Sequence, residues 1–208
     1  MRNIPLLLQL FLWYGLLTEL LPSPREAWSP IPGTFLSNRG FYFPVPSFDA
    51  QGSFGLSRPL LGGFNFSGGA SISPELAALA LGLAIYTSSY IAEIVRAGVQ
   101  AVPRGQVEAA RSMGLSPLAT LRLVVLPQAM RLIVPPLTSQ YLNLVKNSSL
   151  GVAIGYPELV SIANTTINQT GQAVEGIALL MASYLTVSLL LSTIANGWER
   201  SRPWIATR

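Results

Sequence analysis

The sequence predicts an all-α membrane protein carrying a proline- and glycine-rich insert outside the membrane. Three observations lead there. Only 11% of the 208 residues are charged, against roughly 25% in a soluble domain. The apolar residues, 50% of the chain, gather into long uncharged runs separated by arginine-bearing segments. Residues 22–73, by contrast, show no helical period.

The first uncharged run, residues 3–18, is apolar almost all round and carries Phe11, Trp13 and Tyr14 near its end. Spanning a bilayer takes roughly 20 apolar residues, so this run is slightly short. The rival reading is a signal peptide, with Arg2 as its basic start and residues 6–12 as its apolar part. No small-x-small cleavage site follows, and Pro5 and Gln9 interrupt the run. Residues 1–21 therefore read as the remnant of a transmembrane helix whose beginning is absent. Residues 22–73 are rich in Pro, Gly, Ser and aromatics and read as an extended loop or small hairpin structure. The aromatics argue against full disorder, and the segment is expected to lie against the membrane surface or a partner.

Ser73, Pro74 and Glu75 form a helix start: an N-cap, a proline at the first position and an acid in the first turn. From there the helical core is expected over 74–200, with spans at about 75–100, 125–146 and 176–198 and a tail at 201–208. Glu93 and Arg96 form an i, i+3 pair that reads as structural. Pro103 closes the first span. Pro135 and Pro136 are expected to kink the second, where Arg131 lies close enough to the start to snorkel to the headgroups. Five arginines (96, 104, 111, 122 and 131) fall in and beside loop 101–124, and three more (200, 202 and 208) follow the last span. The positive-inside rule then makes that loop and the C-terminus cytoplasmic and puts the insert on the far side.

Composition also excludes chemistry. Without cysteine or histidine there are no disulfides, Cys/His metal sites or Ser/His nucleophiles. The single lysine, Lys146, stands outside any phosphate-loop pattern, and Asp49 is the sole aspartate. No catalytic residue, metal or cofactor is expected on this chain. The net charge of +4 comes from arginines beside apolar runs, which favours membrane lipid over nucleic acid as the basic partner.

Loop 101–124 has an internal design. Pro103 opens a helix carrying Glu108, Ala109, Ala110 and Arg111, with Val107, Ala110 and Met113 near one face. Gly114 takes the left-handed position that ends it, and Ser116 with Pro117 starts a second short helix. An amphipathic connector resting on headgroups would show the same charge pattern. The spacing is more particular: Glu108-Ala109-Ala110, three residues, Gly114, nine residues, Val124, one residue, Leu126-Pro127. This resembles the coupling-loop signature of ABC importer permeases, with Val124 where isoleucine is common. The stretch 86–160, "YTSSYIAEIVRAGVQAVPRGQVEAARSMGLSPLATLRLVVLPQAMRLIVPPLTSQYLNLVKNSSLGVAIGYPELV", resembles the polar amino-acid uptake branch of those permeases (histidine, glutamine and general L-amino-acid type). "RNIPLLLQLFLWYGL" does so too. The insert, with "LPSPREAW" and "SNRGFYFP", is similar to the Q-type permeases of general L-amino-acid transporters.

The resemblance implies a type I ABC importer transmembrane-domain fold, here incomplete, since the chain opens inside what resembles the second core helix. It implies that Glu108, Ala109, Ala110, Gly114, Leu126 and Pro127 form a site through which an ATPase dimer, carrying the ATP and Mg, acts on the spans. Further implied partners are a second permease subunit and an extracytoplasmic amino-acid-binding protein, all at a bacterial inner membrane. Asn143, Lys146, Asn147 and Ser148, with Ser149 beside them, cluster at the end of the kinked span. They read either as lining a transport path or as a helix end where Lys146 snorkels. Glu158 belongs to a "GYPEL" motif of the branch, without a ligand role. Asn65, Asn147, Asn164 and Asn168 begin acceptor patterns for glycosylation read as accidental. Two other readings stand beside the importer: a non-functional membrane fragment of such a permease, and an ion-driven secondary carrier. The carrier would call for inverted repeats and acidic residues within spans, neither of which is evident.

Overall fold

A computed structural model describes residues 3–48 and 54–200, without the side chains of Phe48 and 198–200. The order is a helix, a run of short strands and six further helices. The strands lie between α1 (Leu6–Glu19) and α2 (Pro74–Gln100). α3 (Arg104–Ser112), α4 (Pro117–Thr120), α5 (Leu126–Asn147), α6 (Leu159–Thr170) and α7 (Ala173–Arg200) follow. Two compact units result: residues 3–84 with 150–158, and residues 85–149 with 159–200.

Three helical stretches are long and apolar enough to cross a membrane: Pro74–Gln100, Pro117–Ile154 and Ala173–Gly197. The first and third overlap residues 75–100 and 176–198, and the second continues well beyond 125–146. It does so because α4, a five-residue π turn at Leu121–Val125, α5 and a 3-10 stretch at Ser148–Ile154 follow one another without a break. Pro135 and Pro136 sit inside α5, and the helix continues through them. At 14 residues, α1 is about 21 Å long at 1.5 Å per residue, short of a bilayer's roughly 30 Å core.

In the unit holding residues 3–84, the insert is β structure. β1 (Phe35–Ser37), β2 (Gly40–Phe43) and β7 (Ala70–Ile72) make an antiparallel sheet in the order β1-β2-β7, with Phe35 opposite Tyr42 and Phe41 opposite Ile72. β3 (Val45–Phe48) pairs with β4 (Phe54–Ser57), and β5 (Leu60–Gly62) with β6 (Asn65–Ser67). The β5–β6 hairpin turns on Gly63 and Phe64. Only Gly63 has positive φ (73°), the pattern of a type II′ turn, which fits the twist of paired strands. Aromatics glue these pieces together: Phe66 lies 4.6 Å from Phe35 and 4.8 Å from Tyr42, ring centre to ring centre. The Tyr42 hydroxyl donates to Asn65 Oδ1 at 2.7 Å. The loop-or-hairpin reading thus resolves into seven short strands, drawn together by the aromatics that argued against disorder. In the same unit α1 packs closely on α2, because Gly82 leaves room for Leu10 and Trp13.

In the other unit the core is small. Val102, Val125, Ala129 and Ile133 are buried together, with Ile94, Val107, Met130 and Leu137 against them. Gly98 permits the approach of α2 and α5: a side chain there would collide with Ile133 and meet the Ala129 carbonyl at 3.3 Å. α7 touches α5 and α6, yet none of its central apolar window is buried. A helix apolar all round and exposed in its own chain requires lipid or another protein to cover it.

Candidate coupling site

The segment 104–127 is assembled on that small core by two caps. α3 ends at Ser112. The N–H of Gly114 donates to the Arg111 carbonyl at 2.9 Å, and that of Leu115 to the Ala110 carbonyl at 3.2 Å. This pair of bonds is the Schellman motif, and it requires the left-handed φ of +83° at Gly114. The chain then restarts at once. Ser116 Oγ accepts the Ala119 N–H at 3.3 Å, and Pro117 takes the first helical position of α4. Both caps fall on the residues the sequence assigned to them.

Burial divides the predicted site residues. Ala110 is buried, and Val107, half-buried, packs on the core of Val102, Val125, Ala129 and Ile133. α3 also rests on α4 and the π turn. Glu108, Ala109, Arg111 and Gly114 are exposed, and so is Leu126, while Pro127 is half-buried. Of the six, Ala110 anchors α3, Glu108, Ala109 and Gly114 lie on its exposed side, and Leu126 and Pro127 open α5.

Met113 departs from the reading that grouped it with Val107 and Ala110. It is 84% exposed, because the helix has ended and the side chain projects past the surface on which Ala110 packs. Leu118 and Leu123 are exposed as well, which gives the segment an apolar rim around the Glu108 edge. An exposed methionine between a short helix and a left-handed glycine is a signal the sequence did contain. Two other features had none. The N–H of Leu126 reaches back to the Leu121 carbonyl, closing the π turn. The Thr120 hydroxyl oxygen is buried without a hydrogen-bond partner among the described residues. No ion pair joins Glu108 to Arg111 there, whereas Glu93 and Arg96 do pair, at 3.3 Å on an exposed face.

The polar cluster at the end of α5 also divides. Asn143 and Lys146 are exposed, one turn apart; Asn147 and Ser148 are half-buried. The hydroxyls of Ser148 and Ser149 each donate to a carbonyl one turn earlier, of Val145 and Lys146, both at 2.7 Å. They are engaged with their own helix, which leaves Asn143, Lys146 and Asn147 as the groups that could meet a solute.

With this geometry in hand, comparison with known proteins is informative. The family model for the binding-protein-dependent transport system inner membrane component matches residues 1–202. The chain is 46% identical to the permease protein YhdX of Escherichia coli (strain K12), over 96% of this chain and 65% of that one. It is 39% identical to the general L-amino acid transport system permease protein AapQ of Rhizobium johnstonii, over 95% and 63%. The chain therefore spans a little under two thirds of the length of these two relatives. The alignment with YhdX runs over 255 residues, more than this chain has, so that relative carries segments without a counterpart here. Among solved structures, the crystal structure of an amino acid ABC transporter with histidines aligns with a TM-score of 0.63 at 28% identity, covering 97% of this chain and 71% of that one. An inward-facing MetNI methionine ABC transporter aligns with a TM-score of 0.52 at 25% identity, covering 61% and 58%.

Proposed function

Because the chain belongs to the family of binding-protein-dependent transport system inner membrane components, we propose that it is a membrane-spanning subunit of an ATP-driven importer for L-amino acids. In this reading the segment 104–127 is the point at which a separate ATPase dimer acts on the spans. The observation that carries it is the construction of that segment. A rigid nine-residue helix is stopped by Gly114 and restarted by Ser116. Its inner side rests on the core of α2 and α5, while Glu108, Ala109 and Met113 face outward. A push on that edge is delivered through Ala110 and Val107 to Val125, Ala129 and Ile133, which lie on the helix leading to Asn143 and Lys146. The chain supplies the lever and the path; ATP, with its Mg, is bound and hydrolysed on the partner.

The loop and the C-terminus are cytoplasmic and the insert is outside, on the arginine distribution. A second permease subunit covers the exposed α7, and an external binding protein delivers the amino acid. Alternating access follows: closure of the ATPase dimer displaces the lever and opens the path outward. Asn143, Lys146 and Asn147 line that path, where the lysine's cost of about 2.5–3.5 kcal/mol at a membrane centre is offset by a polar cavity.

Reversing the charge at Glu108 tests the reading. Glu108→Lys, co-expressed with the neighbouring ATPase and second permease, is expected to insert normally yet lose co-purification with the ATPase and uptake of mixed L-amino acids. Normal uptake would remove the coupling role. For the path, Lys146→Ala is expected to change uptake at unchanged abundance; a fall in abundance alone would assign the lysine to the helix end.

A further inference from the structure

A second polar site lies in the unit formed by residues 3–84, remote in sequence from the coupling segment. The ends of α1 and α2 and the turns of the insert enclose a cavity of about 370 Å³, lined by Tyr14, Thr18, Asn38, Arg39, Asn65 and Glu75, with Ser73 and Pro74 at its edge. Its lining is polar, unlike the apolar groove of about 390 Å³ between α5 and α7.

The groups in this cavity are not spent on one another. Glu75 Oε1 accepts only a long bond, 3.4 Å, from the Tyr14 hydroxyl. Arg39 contributes its backbone N–H to Ser37, and its guanidinium has no carboxylate partner among the described residues. Asn38 Oδ1 is buried with no hydrogen-bond partner there. Asn65 Oδ1 already accepts from Tyr42 and from the Phe66 N–H, so Asn65 has its NH₂ to offer. The cavity is thus lined by residues that carry cationic and NH₂ donors (Arg39, Asn65) and an anionic acceptor (Glu75).

We infer that this cavity binds a free zwitterionic α-amino acid, its carboxylate on Arg39 and Asn65 and its ammonium on Glu75. A simple anion would be repelled by Glu75 and a simple cation by Arg39, whereas a molecule bearing both charges on adjacent atoms satisfies both. Guanidinium–carboxylate pairing is also the strong, bidentate kind. The volume lies within the range of small-molecule sites, about 300–1,000 Å³. The site uses none of the coupling residues, so it stands or falls separately from the lever.

Equilibrium dialysis of tritiated L-glutamine against the full chain in lipid nanodiscs tests this. Saturable binding is expected, weakened at least about tenfold by Arg39→Gln and by Glu75→Gln, since each removes a charge-assisted bond. Arg39→Lys and Glu75→Asp keep the charge and are expected to retain part of the affinity, which separates lost recognition from lost folding. Glutaramate, lacking the ammonium, and 4-aminobutanamide, lacking the carboxylate, should compete poorly. Absence of saturable binding at millimolar L-glutamine, binding indifferent to both charge-removing variants, or competition by either analogue as strong as by unlabelled L-glutamine would each overturn the inference.

Discussion

Residues 104–127 and residues 22–73 are both polar interruptions of an apolar chain, and they are ordered by opposite means. In the first, each bond that fixes the backbone reaches no more than five residues: Leu115 to Ala110, Gly114 to Arg111, Ala119 to Ser116. In the second, order comes from partners far along the chain. Phe41 pairs with Ile72, Tyr42 bonds Asn65, and Phe66 stacks on Phe35. The contrast matters for function. A segment fixed by its own caps moves as a unit when pushed, which a lever needs. A segment fixed by distant pairings holds side chains from many places around one point, as the cavity of Arg39 and Glu75 requires.

The contrast can be broken or sharpened by substitution. The largest effect is expected at the floor of the lever. Gly98→Leu forces a side chain into Ile133 and the Ala129 carbonyl, an overpacking worth about 3 kcal/mol or more. Folded protein in the membrane, measured by abundance and gel filtration, should nearly vanish; a stable variant would mean that α2 and α5 do not need their close approach. In the insert, Phe66→Ala removes two ring contacts, each worth about 0.5–1.5 kcal/mol beyond the area buried. It should lower the thermal midpoint and open residues 35–67 to protease together, because the pairings are shared.

Gly114→Ala separates backbone from space. No atom lies within 4 Å of the added Cβ, so the expected loss of about 1–2 kcal/mol comes from the left-handed φ alone. Proteolysis should increase at 112–117 and nowhere in the insert. Ser116→Ala should cost about 1 kcal/mol through the lost cap, read as the same local opening, smaller in degree. The smallest effect is expected for Arg96→Gln: its pair with Glu93 is exposed, and such helix pairs are worth about 0.3–0.5 kcal/mol. A thermal midpoint lowered as much as by Phe66→Ala would contradict the ranking.

The same division explains what could be read without coordinates. The spans, the Ser73–Pro74 start, the Gly114 stop and the Ser116 restart are local decisions, each signalled by residues within one turn of the event. The strand pairings of the insert are not, since nothing near Phe41 announces Ile72. The Tyr42–Asn65 bond is equally hidden, since the two residues stand far apart in the sequence. The outward turn of Met113 depends on where the surface beneath α3 ends, which periodicity does not contain. The π turn at Leu121–Val125 has no distinguishing residue; the Leu126 N–H bond to the Leu121 carbonyl, five residues back, sets it apart from α-helix.

The coupling role proposed for α3 requires that its outer edge, and not its inner face, meet an ATPase. Since the chain contains no cysteine, single cysteines can be placed at will and cross-linked to the co-expressed ATPase subunit in membranes. Ala109→Cys and Met113→Cys are expected to cross-link efficiently and Ala110→Cys, buried against the core, hardly at all. Cross-linking from Ala110→Cys equal to its neighbours, or none from any of the three while a position in the insert such as Phe64→Cys reacts, would contradict it.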